Sequence, residues 1–237
     1  MEATLKAPLI LGIETSGKTG GLALFQEKLL IEITLQAQQS YSQILFHYLP
    51  LILEKTKLSM QDLQFIAVDI GPGSFTGLRI GISAVKAFSL VYNCPIIPVS
   101  SLEVLAYTFY PSPFPILSLI DAYTQEIFIA LYKFEGEFLK TLYPPNLVKL
   151  QDLGHLIQEP TLFVSETLEK WESYFEDKFG EKFIKPLLKP SLRASLVCEI
   201  AWLKLNRGEA KLLHGEGLLP LYLKPSEAER KRCLPSS

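Results

Sequence analysis

One local plan occurs twice in this chain, and it limits the possible folds more than any other feature. Leu9-Ile10-Leu11-Gly12-Ile13-Glu14-Thr15-Ser16 reads as a buried strand ending in an acid, then a polar turn, and Gly20 to Phe25 returns as a second strand. Pro115 to Thr124 repeats the pattern with its acid at Asp121, and Glu126 to Tyr132 returns. A third strand joins each pair, Leu29 to Leu35 in the first half and Phe138 to Tyr143 in the second.

Helix and strand then alternate. The spacing of apolar residues predicts helix Ser40 to Lys55, strand Phe65 to Ile70, helix Leu78 to Tyr92 and strand Pro95 to Val99 in the first half. In the second half it predicts helix Gln151 to Gln158, strand Thr161 to Val164, helix Glu166 to Phe179 and a helix from Ser191 to about Leu205. Two βββαβα units in tandem follow. The expected class is α/β, two tandem ribonuclease-H-like domains of the actin, sugar kinase and Hsp70 kind, with mixed sheets flanked by helices. At 237 residues the chain suits two small domains. Pro111-Ser112-Pro113-Phe114-Pro115 is the natural linker. The expected division is 1–110, 111–225 and a basic, flexible tail at 226–237.

Charge and cysteine usage exclude several function classes. Apolar residues make up 48% of the chain, charged residues 20%, and the formal charge is −2, so there is no general excess for binding a polyanion. Cys94, Cys198 and Cys233 are scattered and odd in number, which argues against a disulfide framework or a zinc site. His47, His155 and His214 stand equally apart. No metal and no cofactor are expected. Pro8 to Ile13 is too short an apolar run to cross a membrane or act as a secretory signal, and a cytoplasmic protein is the expectation.

Gly71-Pro72-Gly73-Ser74-Phe75-Thr76-Gly77-Leu78-Arg79-Ile80-Gly81 joins an apolar strand to an apolar helix. Two readings remain open for it. The glycines can bring backbone N–H groups to an anion, with Ser74 and Thr76 adding hydroxyls at the positive end of the helix. Alternatively the loop is a tight turn with Ser74 or Thr76 as N-cap, and the glycines let another backbone approach. Neither the dinucleotide glycine spacing nor a P-loop ending is present. Glu14 and Asp121 carry a similar choice. Acids at these strand ends can face an interdomain cleft and place a metal and nucleotide phosphates, or they can accept hydrogen bonds from the N–H groups of their own turns. The turn after Asp121, Ala122-Tyr123-Thr124-Gln125, lacks glycine and carries a bulky ring, which makes a poor phosphate cradle.

With these segments in place the chain resembles the bacterial TsaB (YeaZ) family. Leu11 to Ser16, the Gly71 to Gly81 motif, Pro98-Val99-Ser100-Ser101-Leu102, Asp121-Ala122 and Pro220-Leu221-Tyr222-Leu223-Lys224 fall in the family's order over essentially the full length. The resemblance implies a pared-down copy of TsaD, the subunit that transfers the threonylcarbamoyl group in forming N6-threonylcarbamoyladenosine on tRNA. It implies a non-catalytic subunit that binds TsaD and, through the pair, the ATPase TsaE, with tRNA reached only through the complex and a homodimer possible when alone. It makes Glu14, Thr15, Gly71, Gly73, Ser74, Phe75, Thr76, Arg79 and Asp121 a vestigial nucleotide cleft and family motif. The usual Asp is here Glu14, the usual His is Tyr41, and the usual Arg is Tyr123. The His-x-x-x-His pair with which TsaD-like enzymes hold their metal is absent.

The same resemblance implies that the two helices of the first half pack against a related subunit. In the second of them Gly77, Gly81, Ala84 and Phe88 fall on one face, expected to be a flat outward strip, with Ile80, Val85 and Leu90 filling the chain's own core. In the first, Tyr41, Ile44, Leu45 and Tyr48 begin an apolar stripe that continues through Leu49 and Ile52, and Pro50 is expected to bend or interrupt the helix. The competing function is an ATP-dependent phosphotransferase of the acetate or sugar kinase type using Glu14, Asp121 and the Gly71 to Gly77 loop.

Overall fold

The computed structural model describes residues 7–36, 41–122 and 126–223. The tail at 226–237 and Tyr123 lie outside the described residues.

The first sheet comprises β1 (Ile10–Glu14), β2 (Thr19–Gln26), β3 (Lys28–Gln36), β4 (Phe65–Asp69) and β5 (Ile96–Val99), in the order β3-β2-β1-β4-β5. The second comprises β6 (Ile116–Asp121), β7 (Glu126–Glu135), β8 (Phe138–Lys149), β9 (Thr161–Val164) and β10 (Phe183–Ile184), in the order β10-β9-β6-β7-β8. Read from the other edge, this is the same order. In each sheet the first three strands pair antiparallel, and the fourth and fifth join parallel to the first. The repeated plan is therefore two ribonuclease-H-like sheets in tandem.

Among the described residues five helices complete the layers: α1 (Tyr41–Thr56), α2 (Phe75–Tyr92), α3 (Ser101–Tyr107), α4 (Glu172–Phe179) and α5 (Ala194–Asn206). α1 and α2 cover the outer face of the first sheet, where Leu11, Ile13, Leu22, Leu24, Leu45 and Val85 are buried together. Helix α1 runs through Pro50 without a break, and Pro50 is exposed. Aromatic rings dominate the outer face of the second sheet, where Phe163 packs against Phe175, Phe179 and Phe183.

A third core lies between the sheets and belongs to both halves. It joins Ile10, Ala23 and Ala67 of the first sheet to Ile116, Ala130 and Val164 of the second through α3 and α5. The two helices exchange places across the repeat. α3, from the first half, packs on β6, and α5, from the second, packs on β1 and β2. Gly12 permits the latter, because a Cβ there would stand 2.4 Å from the Cys198 sulfur and 2.5 Å from the Ala194 carbonyl oxygen. The chain then returns to the first half, where Leu213 bridges to Ile96 and the Leu221 N–H donates to the Ile70 carbonyl.

Several elements differ from expectation. Gln151 to Gln158 is not an α-helix but a short 3-10 segment, Leu150–His155. The predicted helix Glu166 to Phe179 begins as a 3-10 turn, Leu168–Lys170, and becomes α-helical only at Glu172, because Trp171 leaves helical geometry with φ −126°. β8 extends past Tyr143 and through Pro144 and Pro145, which an edge strand tolerates because one side of its backbone has no partner to lose. α3 was not anticipated, although Ser100 and Glu103 form a capping box that marks its start.

Candidate functional site

The carboxyl ends of β1 and β4 meet beneath the Gly71 to Gly81 segment. Glu14 and Asp69 sit there side by side, both fully buried, with no lysine or arginine bonded to either among the described residues. Hydroxyls and turn amides take the place of cations. Glu14 accepts from the Ser16 N–H at 2.7 Å and the Gly17 N–H at 2.9 Å. Asp69 accepts from the Gly71 N–H at 2.7 Å and the Ser101 hydroxyl at 2.6 Å, and the Ser16 hydroxyl reaches Glu14 and Asp69 at 2.9 Å each. Sequence reading did not single out Asp69. The signal was present, since β4 also ends in an acid just before the glycine-rich loop.

Burial raises the Glu14 pKa well above the usual carboxylate range, and the neighbouring Asp69 charge adds to it. Asp69 is raised as well, chiefly by burial. Both carboxyls are therefore biased toward their protonated forms. A carboxyl whose folded pKa exceeds its unfolded one contributes most below the unfolded pKa and loses that contribution as pH rises through the folded value. Glu14→Gln removes this titration. We expect its unfolding free energy, relative to the native chain, to climb as pH rises above the usual carboxylate range, with a limiting slope of about 1.4 kcal/mol per pH unit for one retained proton. A difference that stays flat with pH would show that no proton is held there.

The glycines of the motif serve close approach. Gly71 has φ +99°, a backbone conformation suited to glycine, and Gly73 lies so near Ser16 that a Cβ would come within 2.5 Å of its carbonyl oxygen. Gly77 and Gly81 press on Thr15, whose hydroxyl donates to the Gly77 carbonyl at 2.9 Å. Ser74, not Thr76, caps α2 by accepting from the Gly77 N–H. Phe75 and Thr76 are exposed, and the Arg79 guanidinium lies 3.9 Å from the centre of the Phe75 ring. Tyr41, where a histidine is usual in the resembling family, donates its hydroxyl to the Gly17 carbonyl at 2.6 Å.

A cleft of about 90 Å³ runs between the β1–β2 turn and the second half, with Asp121 and Glu166 on its far wall. That is well below the roughly 300–1,000 Å³ of ordinary ligand pockets. Glu166 crosses it to accept from the Lys18 N–H at 3.3 Å, and Asp121 is paired with Lys170. The amides of Ser16, Gly17 and Lys18, which could meet a phosphate, thus already face the chain's own carboxylates. Glu14 and Asp121 do not converge on one polar chamber.

The outward strip of small residues is corrected by the structure. Gly77, Gly81 and Ala84 are buried, as are Ile44 and Leu45, and only Tyr41, Tyr48 and Phe88 keep part of their surface. Helices α1 and α2 turn a different face to solvent. Phe46 is 61% exposed, Leu90 83% and Val91 70%. Leu51 and Ala87 are also exposed, Ile80 is half-buried, and Phe46 meets Phe88 edge-on at 6.4 Å. Leu90 and Ile80 thus exchange roles with the glycines, because the glycines are needed where the helix lies against Thr15.

Comparison with known proteins places this geometry in context. Residues 33–197 match the family described as TsaD, tRNA N6-adenosine threonylcarbamoyltransferase. The tRNA threonylcarbamoyladenosine biosynthesis protein TsaB of Bacillus subtilis is 33% identical over 226 residues, covering 94% of this chain and 96% of that protein. A tRNA N6-adenosine threonylcarbamoyltransferase of Dictyoglomus turgidum is 36% identical over 112 residues, 44% of this chain and 34% of that protein. Among solved structures, YeaZ from Pseudomonas aeruginosa superposes with a TM-score of 0.74 at 20% identity, covering 91% of this chain and all of that one.

Proposed function

From the premise that this chain belongs to the TsaB family of tRNA threonylcarbamoyladenosine biosynthesis proteins, we propose that it is a non-catalytic subunit. Its work is to bind and support the TsaD-type threonylcarbamoyltransferase, and through that pair to join the TsaE-type ATPase, in the cytoplasm. The observation that carries the reading is the apolar ridge of Phe46 on α1 with Ile80, Leu90 and Val91 on α2, the two helices meeting where Phe46 packs on Phe88. Apolar side chains exposed along two adjacent helices have no use in the monomer and are the material from which helix-to-helix interfaces are built. A second copy can occupy the ridge when the partner is absent, which gives a homodimer. No described helix is long and apolar enough to cross a membrane.

The closed cleft supports the same reading against phosphotransfer, since a kinase needs turn amides free for phosphate. Two measurements test the proposal together. Size-exclusion chromatography of the chain mixed with the TsaD-type subunit of the same organism is expected to show a stable complex. The chain alone is expected to hydrolyse no ATP with magnesium. Failure to co-elute removes the partner reading, and hydrolysis that disappears in Glu14→Gln restores the kinase one.

A further inference from the structure

The reading above leaves one flank of α2 unused. Phe88 meets α1 through Phe46, whereas Lys86, two residues earlier and so on the opposite side of the helix, lies against the C-terminal segment, where a Cβ on Gly215 would stand 3.4 Å from the Lys86 carbonyl oxygen. Residues 211–223 follow that flank. Leu213 bridges to β5, Leu218 is buried in the outer core of the first half, and Tyr222 reaches the start of the helix, its ring centroid 6.0 Å from that of Phe75. Both rings stay open to water: Phe75 is 46% exposed and Tyr222 53%. Arg79, one turn on, lays its guanidinium over the Phe75 ring, so a cation and two rings form one open platform.

Cations continue along the same flank. α2 contains Arg79 and Lys86 and no acid, and the segment beside it contributes Lys211 and one acid, Glu216. None of these three cations has a carboxylate partner among the described residues. The described chain ends at Leu223, one residue past the platform, and the sequence goes on to Lys224, Arg230, Lys231 and Arg232 against Glu227 and Glu229. With a formal charge of −2 over the whole chain, this positive surplus is local. Open rings with a stacked guanidinium, bordered by unpaired cations, match unpaired nucleotides, because any base stacks on a ring or a guanidinium plane while the cations meet phosphates. An acidic protein surface would use the cations alone and leave the rings open to water.

We propose that this face is a tRNA contact surface, with Phe75, Tyr222 and Arg79 stacking an unpaired stretch of the tRNA, and the cations along the flank and after Leu223 holding its phosphates. This assignment rests on the complex with the TsaD-type subunit inferred above, in which the chain then touches the tRNA itself.

The test uses the complex of the full chain with the TsaD-type subunit of the same organism, and an unmodified transcript of one of that organism's tRNAs. Electrophoretic mobility shifts between about 50 and 200 mM sodium chloride read the affinity and its salt dependence. Tyr222→Ala is expected to weaken tRNA binding about 10-fold, the loss of one stacked base, and Arg79→Gln by a similar factor. Arg230→Gln, Lys231→Gln and Arg232→Gln combined are expected to flatten the slope of log affinity against log salt by about 2, at roughly 0.7–0.9 per phosphate contact. Lys182→Gln, the removal of an exposed cation in the second half, should leave affinity and slope unchanged, and every variant should still co-elute with the partner. Absence of a complex with the native chain would remove the partner reading. A complex that forms but binds tRNA equally well with Tyr222→Ala and Arg79→Gln, or loses as much with Lys182→Gln, would overturn the tRNA surface alone. Loss of co-elution in the platform variants would make this face a protein interface and overturn it as well.

Discussion

Gly77→Ala is expected to destabilise the chain by about 3 kcal/mol or more, lowering its melting temperature by roughly 6–12 °C. An isolated helix would gain from this change, because alanine is favoured over glycine in a helix interior by about 1 kcal/mol. Here the added methyl would stand 1.9 Å from the Thr15 carbonyl oxygen and 2.9 Å from the Tyr41 ring. Neither neighbour can yield cheaply. Thr15 is backbone at the end of a central strand, and the Tyr41 hydroxyl is tied to Gly17. Ser83→Ala, on the exposed face of the same helix, is the control and should shift stability by no more than about 0.5 kcal/mol. A melting temperature that rises in Gly77→Ala would mean that α2 does not lie against the β1–β2 turn. Gly81→Arg should destabilise the chain for the same reason, since a Cβ at Gly81 would stand 2.3 Å from the Thr15 hydroxyl.

Leu90→Lys should do the opposite, leaving the monomer intact and removing the partner. Leu90 is 83% exposed near the end of α2, so its loss opens no cavity, and a cation there suits the negative end of the helix. At the centre of an interface the same charge would be desolvated without a counter-ion. We expect affinity for the TsaD-type subunit to fall about 100-fold or more, with a melting temperature near that of the native chain. Phe46→Lys on α1 should behave alike. If both variants co-elute with the partner as the native chain does, the ridge is not the docking face. Any homodimer formed through it should dissociate in the same variants.

Much of this architecture is legible in the amino-acid sequence. Strand runs ending in Glu14 and Asp121, each followed by a return strand, were legible twice over, because alternation and turn chemistry are local, whereas the two-residue β10 was not anticipated. The glycine-rich loop was legible as a strand-to-helix turn, and its capping serine was one of two candidates. α4 was over-extended because apolar spacing continued through Trp171, whose backbone is not helical. α3 was overlooked beside a stronger motif, although its capping box was in plain view.

Faces were the harder problem. Small residues at helical spacing on α2 suggest either a place for another subunit or a place for the chain's own backbone, and periodicity treats the two alike. Which face turns inward depends on where Thr15 and Tyr41 arrive, from segments far away in the chain. The carboxyl pair has the same origin: Glu14 and Asp69 are 55 positions apart and become neighbours only because β4 pairs parallel to β1. The amino-acid order by itself determined the duplicated sheets and the loop between β4 and α2, since these follow from hydrophobic period and turn residues. Only the folded chain decided that the glycines are internal, that the cleft is closed by its own carboxylates, and that the exposed ridge is made of Phe46, Leu90 and Val91. Burial and the meeting of two carboxyls are properties of segments brought together in space, and no local pattern records them.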